Sequence, residues 1–356
     1  MNKIFQVYLP GYYRSYKQDS LAVVQSQLNV MKGLGCKGIW LIGLWDSDWS
    51  DIGFSIKDYI VNPLFGSRED LLSLIEEAHN LNLEIGCDVV PNHASTESAL
   101  VYGTDGKTIN IVSKEDAERL TKNGVPSFFG KNAYSKIKTK KFGEVWARTK
   151  FADNHQVDLN WLSIVVRYYF KNIFDYINEL GFDFVRVDCA EMLLEETSLA
   201  MPNNPFACLE SEGSVRAILD VSGHTKLFLE CFNPEIIRCD FGDNVYITDC
   251  SFVKDFGETT WDDFEKRTLK YVNFSNYVPI LGGHDQKPFA NRFGETFQNN
   301  MLEDFNFDYI FTDMATELGF KNSKIMPTSE DAKYDADLYN ENQRWKSRVP
   351  IKDIYL

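Results

Sequence analysis

Apolar residues fall along this chain in two alternating rhythms. Nearly unbroken apolar runs at 4–8, 38–44 and 83–90 read as strands buried on both faces. Between them the spacing changes to three and four. Leu21, Val24, Leu28 and Met31 make a helical stripe closed by Gly33 and Gly35. Leu71, Leu74, Ile75, Ala78 and Leu81 make a second stripe behind Ser67, a natural N-cap. After the run at 83–90 the chain is polar and irregular to about Ile164 and predicts no βα unit. Val166, Phe170, Ile173, Ile177 and Leu180 then restore the helical face. Strands follow at 184–187, 227–230, 245–248 and 277–281, and a weaker one at 309–312. Residues 321–356 are polar and poorly periodic, with at most a final helix among them.

Strands alternating with helices predict parallel βα units. Eight such units with one long insertion predict an α/β protein of the closed (β/α)8 TIM-barrel type rather than an open sheet. No G-x-G-x-x-G follows a strand and no G-x-x-x-x-G-K occurs, so dinucleotide and P-loop chemistry lack their motifs.

In a barrel of this type reactive groups collect where strands end. The third strand runs into DVVPNH, Asp88 to His93, and the fourth into Arg186-Val187-Asp188. The fifth ends on Glu230 and the seventh on His284-Asp285. One acid after a strand is usually a helix cap; four strand ends delivering acids, His or Arg to one rim need another explanation. Two carboxyls about 5–5.5 Å apart can cleave a glycosidic bond with retention, one as nucleophile and one as acid, then base. Arg186 stands two residues before Asp188, so both side chains face the same way and the cation favours an ionised nucleophile. Glu230 follows an apolar run, a setting that suits a proton donor.

Composition narrows the substrate. Of the 356 residues 44% are hydrophobic and 25% charged, ordinary proportions for a globular protein. A net charge of −15 disfavours nucleic acid, anionic membrane and phosphate-rich polymers, but not a neutral sugar. Aromatic content of 14% supplies faces that stack on sugar rings. No apolar run is long enough to span a membrane, and MNKIFQVYLPGYYRS does not read as a signal peptide. Seven cysteines without C-x-x-C spacing read as reduced thiols packed in a cytoplasmic protein. Cys87, Cys189 and Cys231 adjoin the acids Asp88, Asp188 and Glu230, which makes them either core or site wall.

The segments DVVPNH, VDLNW, GFDFVRVD, FLE and GGHDQ resemble those of the α-amylase family, glycoside hydrolase family 13, in order and approximate spacing. The tract HDQKPFANRFG is similar to the oligo-1,6-glucosidase and α-glucosidase branch. The resemblance implies a barrel of residues 1–94 and 157–356 with a small domain, 95–156, inserted after the third strand. It implies Asp188 as nucleophile, Glu230 as acid/base and Asp285 as the acid that grips sugar hydroxyls. His93, Arg186, His284, Arg292 and Phe54 become substrate-binding residues. A carbohydrate substrate is expected and no cofactor.

The chain also departs from the family. Phe54 keeps a stacking face without a hydroxyl, and Ser55 replaces an acid that helps grip a terminal glucose. Cys189 follows the nucleophile, and Glu191-Met192 stand where many amylases have Lys-His. The first βα loop, GYYRSYKQDS, lacks an Asp/Asn series for calcium, so no metal is expected, although Asn92 matches a calcium ligand of amylases. The family's C-terminal β-sandwich is expected to be missing, leaving a lone barrel or one covered by a partner chain or second copy. Three outcomes stay open: hydrolysis or sugar transfer, phosphorylase-type transfer, and a non-catalytic carbohydrate-binding or assembly subunit.

Overall fold

The computed structural model describes residues 2–16, 19–48, 53–103, 106–122, 134–149, 155–194, 207–249, 266, 269–280 and 308–312. Its frame is eight strands, β1 (Asn2–Tyr8), β2 (Cys36–Ile42), β3 (Glu84–Val89), β4 (Phe184–Val187), β5 (Lys226–Cys231), β6 (Val245–Asp249), β7 (Tyr277–Val278) and β8 (Tyr309–Thr312). They lie side by side in the order β7-β6-β5-β4-β3-β2-β1-β8. Every pairing in that order is parallel. A parallel bridge between Ile280 and Phe311, with the Phe311 N–H donating to Pro279 O at 3.1 Å, draws the two ends together. The fold is a (β/α)8 barrel, as the alternating rhythms predict.

The predicted helices form where their stripes lie. The first, Ser20–Gly33, begins at Asp19, whose side chain accepts from the amides of Leu21 and Ala22. Helix Arg68–Asn80 starts with a reciprocal capping box between Ser67 and Asp70 and buries Leu71, Leu74, Ile75 and Ala78. Helix Ile164–Leu180 stops at Gly181, whose φ of 94° is the left-handed cap that glycine takes without strain. Other helices among the described residues go beyond the sequence reading. Leu9–Tyr16 continues straight from β1, and Ala207–Ser222 lies between β4 and β5.

The stretch that reads as irregular also holds order. A helix, Lys114–Lys122, accompanies a three-stranded antiparallel sheet of Ile111–Val112, Gly143–Arg148 and Tyr134–Thr139. An antiparallel ribbon of His93–Ser95 with Gln156–Asp158 brackets this stretch.

Inside the barrel, strand alternation stacks side chains in layers. At the N-terminal end of the strands Lys226 donates to Glu84 Oε1 at 2.6 Å and to the Tyr309 hydroxyl at 3.0 Å. Two residues further along, the lumen is aromatic. Phe228 meets Phe184, Tyr309 and Phe311 at ring-centroid distances of 5.1, 5.1 and 5.0 Å. Gly86 makes room for this layer, since a Cβ there would lie 2.1 Å from Phe184 Cε2. Another two residues along, the same inward tracks present Asp88, Arg186 and Glu230. The aromatic layer thus forms an apolar floor under a charged one.

Candidate active site

Arg186 is the hub of the charged layer and only 3% exposed. Its Nη1 lies 2.7 Å from Asp188 Oδ1 and 3.2 Å from Asp88 Oδ1, and its Nη2 lies 2.5 Å from Glu230 Oε1. The guanidinium stands over the Trp40 ring at 5.0 Å and the Phe54 ring at 5.4 Å. A planar, weakly hydrated cation tolerates aromatic faces while its edge serves carboxylates, a role lysine cannot fill.

β3 supplies Asp88, and two tryptophans hold it. Trp40 Nε1 donates to Asp88 Oδ2 at 2.9 Å, and Trp45 Nε1 donates to the Asp88 backbone oxygen at 2.8 Å. Burial pushes the Asp88 carboxyl up to about 7; Arg186 opposes that shift, and the nearby Asp188 adds to it. Among the described residues one guanidinium faces three buried carboxyls, so full ionisation would set three negative charges against its one positive charge.

β4 and β5 bring their acids together. Asp188 follows the last residue of β4, and its amide donates to Val89 O at 2.9 Å. Cys189 then takes a φ of +47°, uncommon without glycine. That conformation aims two successive amides at β5: Cys189 N–H donates to Glu230 Oε2 at 2.9 Å and Ala190 N–H to Glu230 O at 3.2 Å. One carboxylate oxygen of Asp188, one of Glu230 and the Cys189 sulfur all lie within 4.8 Å of one another. That carboxyl spacing fits the roughly 5–5.5 Å of a retaining glycosidase and falls short of the about 6.5–9.5 Å that an inverting one needs for its water. These three groups could also offer donors to a metal ion, but a guanidinium already sits on both carboxylates and its charge opposes a second cation.

Of the sequence-derived site residues, Asp188, Glu230 and Arg186 therefore meet in one buried cluster. Phe54 joins it as a face against the guanidinium and is itself only 5% exposed. His93 is buried at the start of the ribbon strand His93–Ser95, with Nδ1 3.4 Å from Asn92 Oδ1. Asn92 turns its amide to the Met192 carbonyl at 3.0 Å. His284, Asp285 and Arg292 lie outside the described residues. Glu230 has a guanidinium beside it, a neighbour that the apolar run before it does not foretell. Cys87 and Cys231 belong to the hydrophobic core, and Cys189 stands at the carboxyl pair. Sequence reasoning notes Asp88 only as a strand end and leaves out Trp40; the cross-strand pairing of Arg186 with Asp88 is what makes them part of the cluster.

A family model describing the alpha-amylase catalytic domain matches residues 15–334. The chain belongs to the alpha-amylase family. Among curated members, it is 29% identical over 221 residues to alpha-glucosidase MAL32 of Saccharomyces cerevisiae, a match spanning 57% of this chain and 36% of that one. It is 28% identical over 214 residues to probable oligo-1,6-glucosidase 3 of Bacillus subtilis, spanning 56% of this chain and 37% of the relative. The matches thus span little more than a third of these alpha-amylase-family relatives' length. The trehalulose synthase MutB of Pseudomonas mesoacidophila superposes with a TM-score of 0.73 at 18% identity, covering 98% of this chain and 74% of that one. That likeness is one of fold.

Proposed function

We propose that this chain is a retaining α-glycoside hydrolase or transglycosylase acting on small α-glucosides and oligosaccharides. One observation carries the reading: carboxylate oxygens of Asp188 and Glu230 lie within 4.8 Å of each other, and both acids share one buried guanidinium. Asp188 attacks the anomeric carbon as the bond to the leaving oxygen breaks, and Glu230 gives that oxygen its proton. The product is a glycosyl ester on Asp188. Glu230, now a base, takes a proton from water or a sugar hydroxyl, which attacks the same carbon and releases Asp188 with net retention. Arg186 keeps Asp188 anionic and oriented before it attacks, and receives its charge again when the ester is cleaved. The names of the relatives, an alpha-glucosidase and an oligo-1,6-glucosidase, support the sugar class.

The same reading takes Asp285 as the acid that grips sugar hydroxyls, with His93, His284, Arg292 and Phe54 around the sugar. It takes 95–156 as a small domain inserted in a barrel of 1–94 and 157–356, and the ribbon of His93–Ser95 with Gln156–Asp158 supports those limits. It places the protein in the cytoplasm, in keeping with the five free cysteines among the described residues. Among those residues no helix is long and apolar enough to cross a membrane.

Incubation with a slow fluorinated α-glucoside followed by peptide mass spectrometry should locate a glycosyl adduct on Asp188. Asp188→Asn should lower turnover of aryl α-glucosides by at least about 10⁴-fold, since a lost nucleophile leaves only binding and electrostatics. Full turnover by Asp188→Asn would end the reading. Product analysis with and without an added sugar acceptor separates hydrolysis from transfer.

A further inference from the structure

Beside the three carboxyls that face Arg186 lies a further buried carboxylate with no part in the chemistry above. Glu191 stands three residues after Asp188 and is 2% exposed. Its Oε1 accepts from Phe232 N–H at 2.6 Å and from Asn233 N–H at 3.2 Å, and its Oε2 lies 3.3 Å from the Asn233 amide. These are the first two amides beyond β5. Cys189 and Ala190, just ahead of Glu191 in the same turn, hold Glu230 itself, by its carboxylate and its carbonyl. Three successive residues after Asp188 thus grip β5 at Glu230 and just past it. Beyond the grip the chain enters the short helix Pro234–Arg238, where Asn233 accepts from Glu235 N–H at 3.3 Å.

We propose that Glu191 is a positioning residue for Glu230: it fixes the backbone after β5 so that the Glu230 carboxyl meets the leaving oxygen in line with Asp188. The inference rests on the reading of Glu230 as proton donor. A buried anion that accepts two backbone N–H groups is a stiff anchor, because leaving those amides without an acceptor is costly. The end of β5 aims Glu230, and Glu191 holds that end against the turn that carries Asp188.

Glu191→Gln keeps size and one acceptor but sets an NH2 against the Asn233 amide. The test compares kcat/KM, which reports bond cleavage, on two substrates. A dinitrophenyl α-glucoside leaves without protonation, and a disaccharide needs the proton. The variant should lose at least about tenfold more on the disaccharide, a part of the about 10²–10⁴ that a general acid contributes. The ratio is read within one preparation, so partial unfolding does not move it. Should Glu191→Gln not accumulate as folded protein, the same ratio is read on Glu191→Asp, which keeps the charge but shortens the arm. Equal losses on both substrates, or none, overturn the positioning role. A wild-type protein inert on both substrates would instead overturn the proposed function, a separate result.

Discussion

Asp88→Asn probes the charged layer through stability, independently of any substrate. The carboxyl of Asp88 is pushed from 3.8 up to about 7 by burial, and the residue is 4% exposed. Between those two values the folded protein holds a proton that the unfolded chain releases. Stability should therefore fall as pH rises, by about 1.4 kcal/mol per pH unit, and level off above about 7. Between pH 5 and pH 8 this amounts to about 3 kcal/mol. Asparagine is neutral throughout and removes that slope. It also turns an NH2 toward either Trp40 or Arg186, a fixed penalty of about 1–2 kcal/mol at every pH. Relative to wild type, Asp88→Asn should thus be less stable at pH 5 and gain about 3 kcal/mol by pH 8. For a chain of this length that is a relative rise of about 4 °C in Tm. Thermal melts of both proteins at half-unit pH steps measure it. Parallel Tm curves across pH 5–8 would refute the argument, because they would mean that Asp88 ionises as it does in water.

Arg186→Lys should unfold at lower temperature and lose turnover together. One ammonium cannot serve three carboxyls, and an uncompensated buried charge costs about 3–5 kcal/mol, readable by denaturant titration. Gly86→Ala should destabilise the barrel by about 1–3 kcal/mol, because its Cβ would meet three atoms of the Phe184 ring at 2.1–2.5 Å. Adding Phe184→Leu should return part of that loss, and a double variant no better than the single would show that the ring is not the obstacle.

The barrel was legible because its strands are buried on both faces and read as apolar runs that no loop imitates. Helix Leu9–Tyr16 was hidden by its sequence, LPGYYRSY, in which Pro10 and Gly11 look like a turn. The three-stranded sheet was hidden because Tyr134–Thr139 reads YSKIKT, a strand with one thin apolar side and lysines on the other. In the site, Asp188, Glu230 and Arg186 could be found from their place at strand ends. The links that organise them could not. The Asp88 contact depends on β4 pairing with β3 in one register. The grip of Glu191 depends on a turn whose left-handed Cys189 carries no glycine to announce it. Such contacts arise from how strands are aligned, and alignment leaves little trace in local composition.

The ring of strands joins the beginning of the chain to its far end, with Asn2 opposite Tyr309. During synthesis β1 must therefore wait for a partner that has not yet been made. At about 5–20 residues per second the delay is roughly 15–60 s. For that time one rim of β1 offers open amides and carbonyls to any passing chain, the situation that leads to edge-to-edge aggregation. Yields in heterologous hosts should therefore respond to slower growth or added chaperone more than to changes at the rim that carries Asp188 and Glu230.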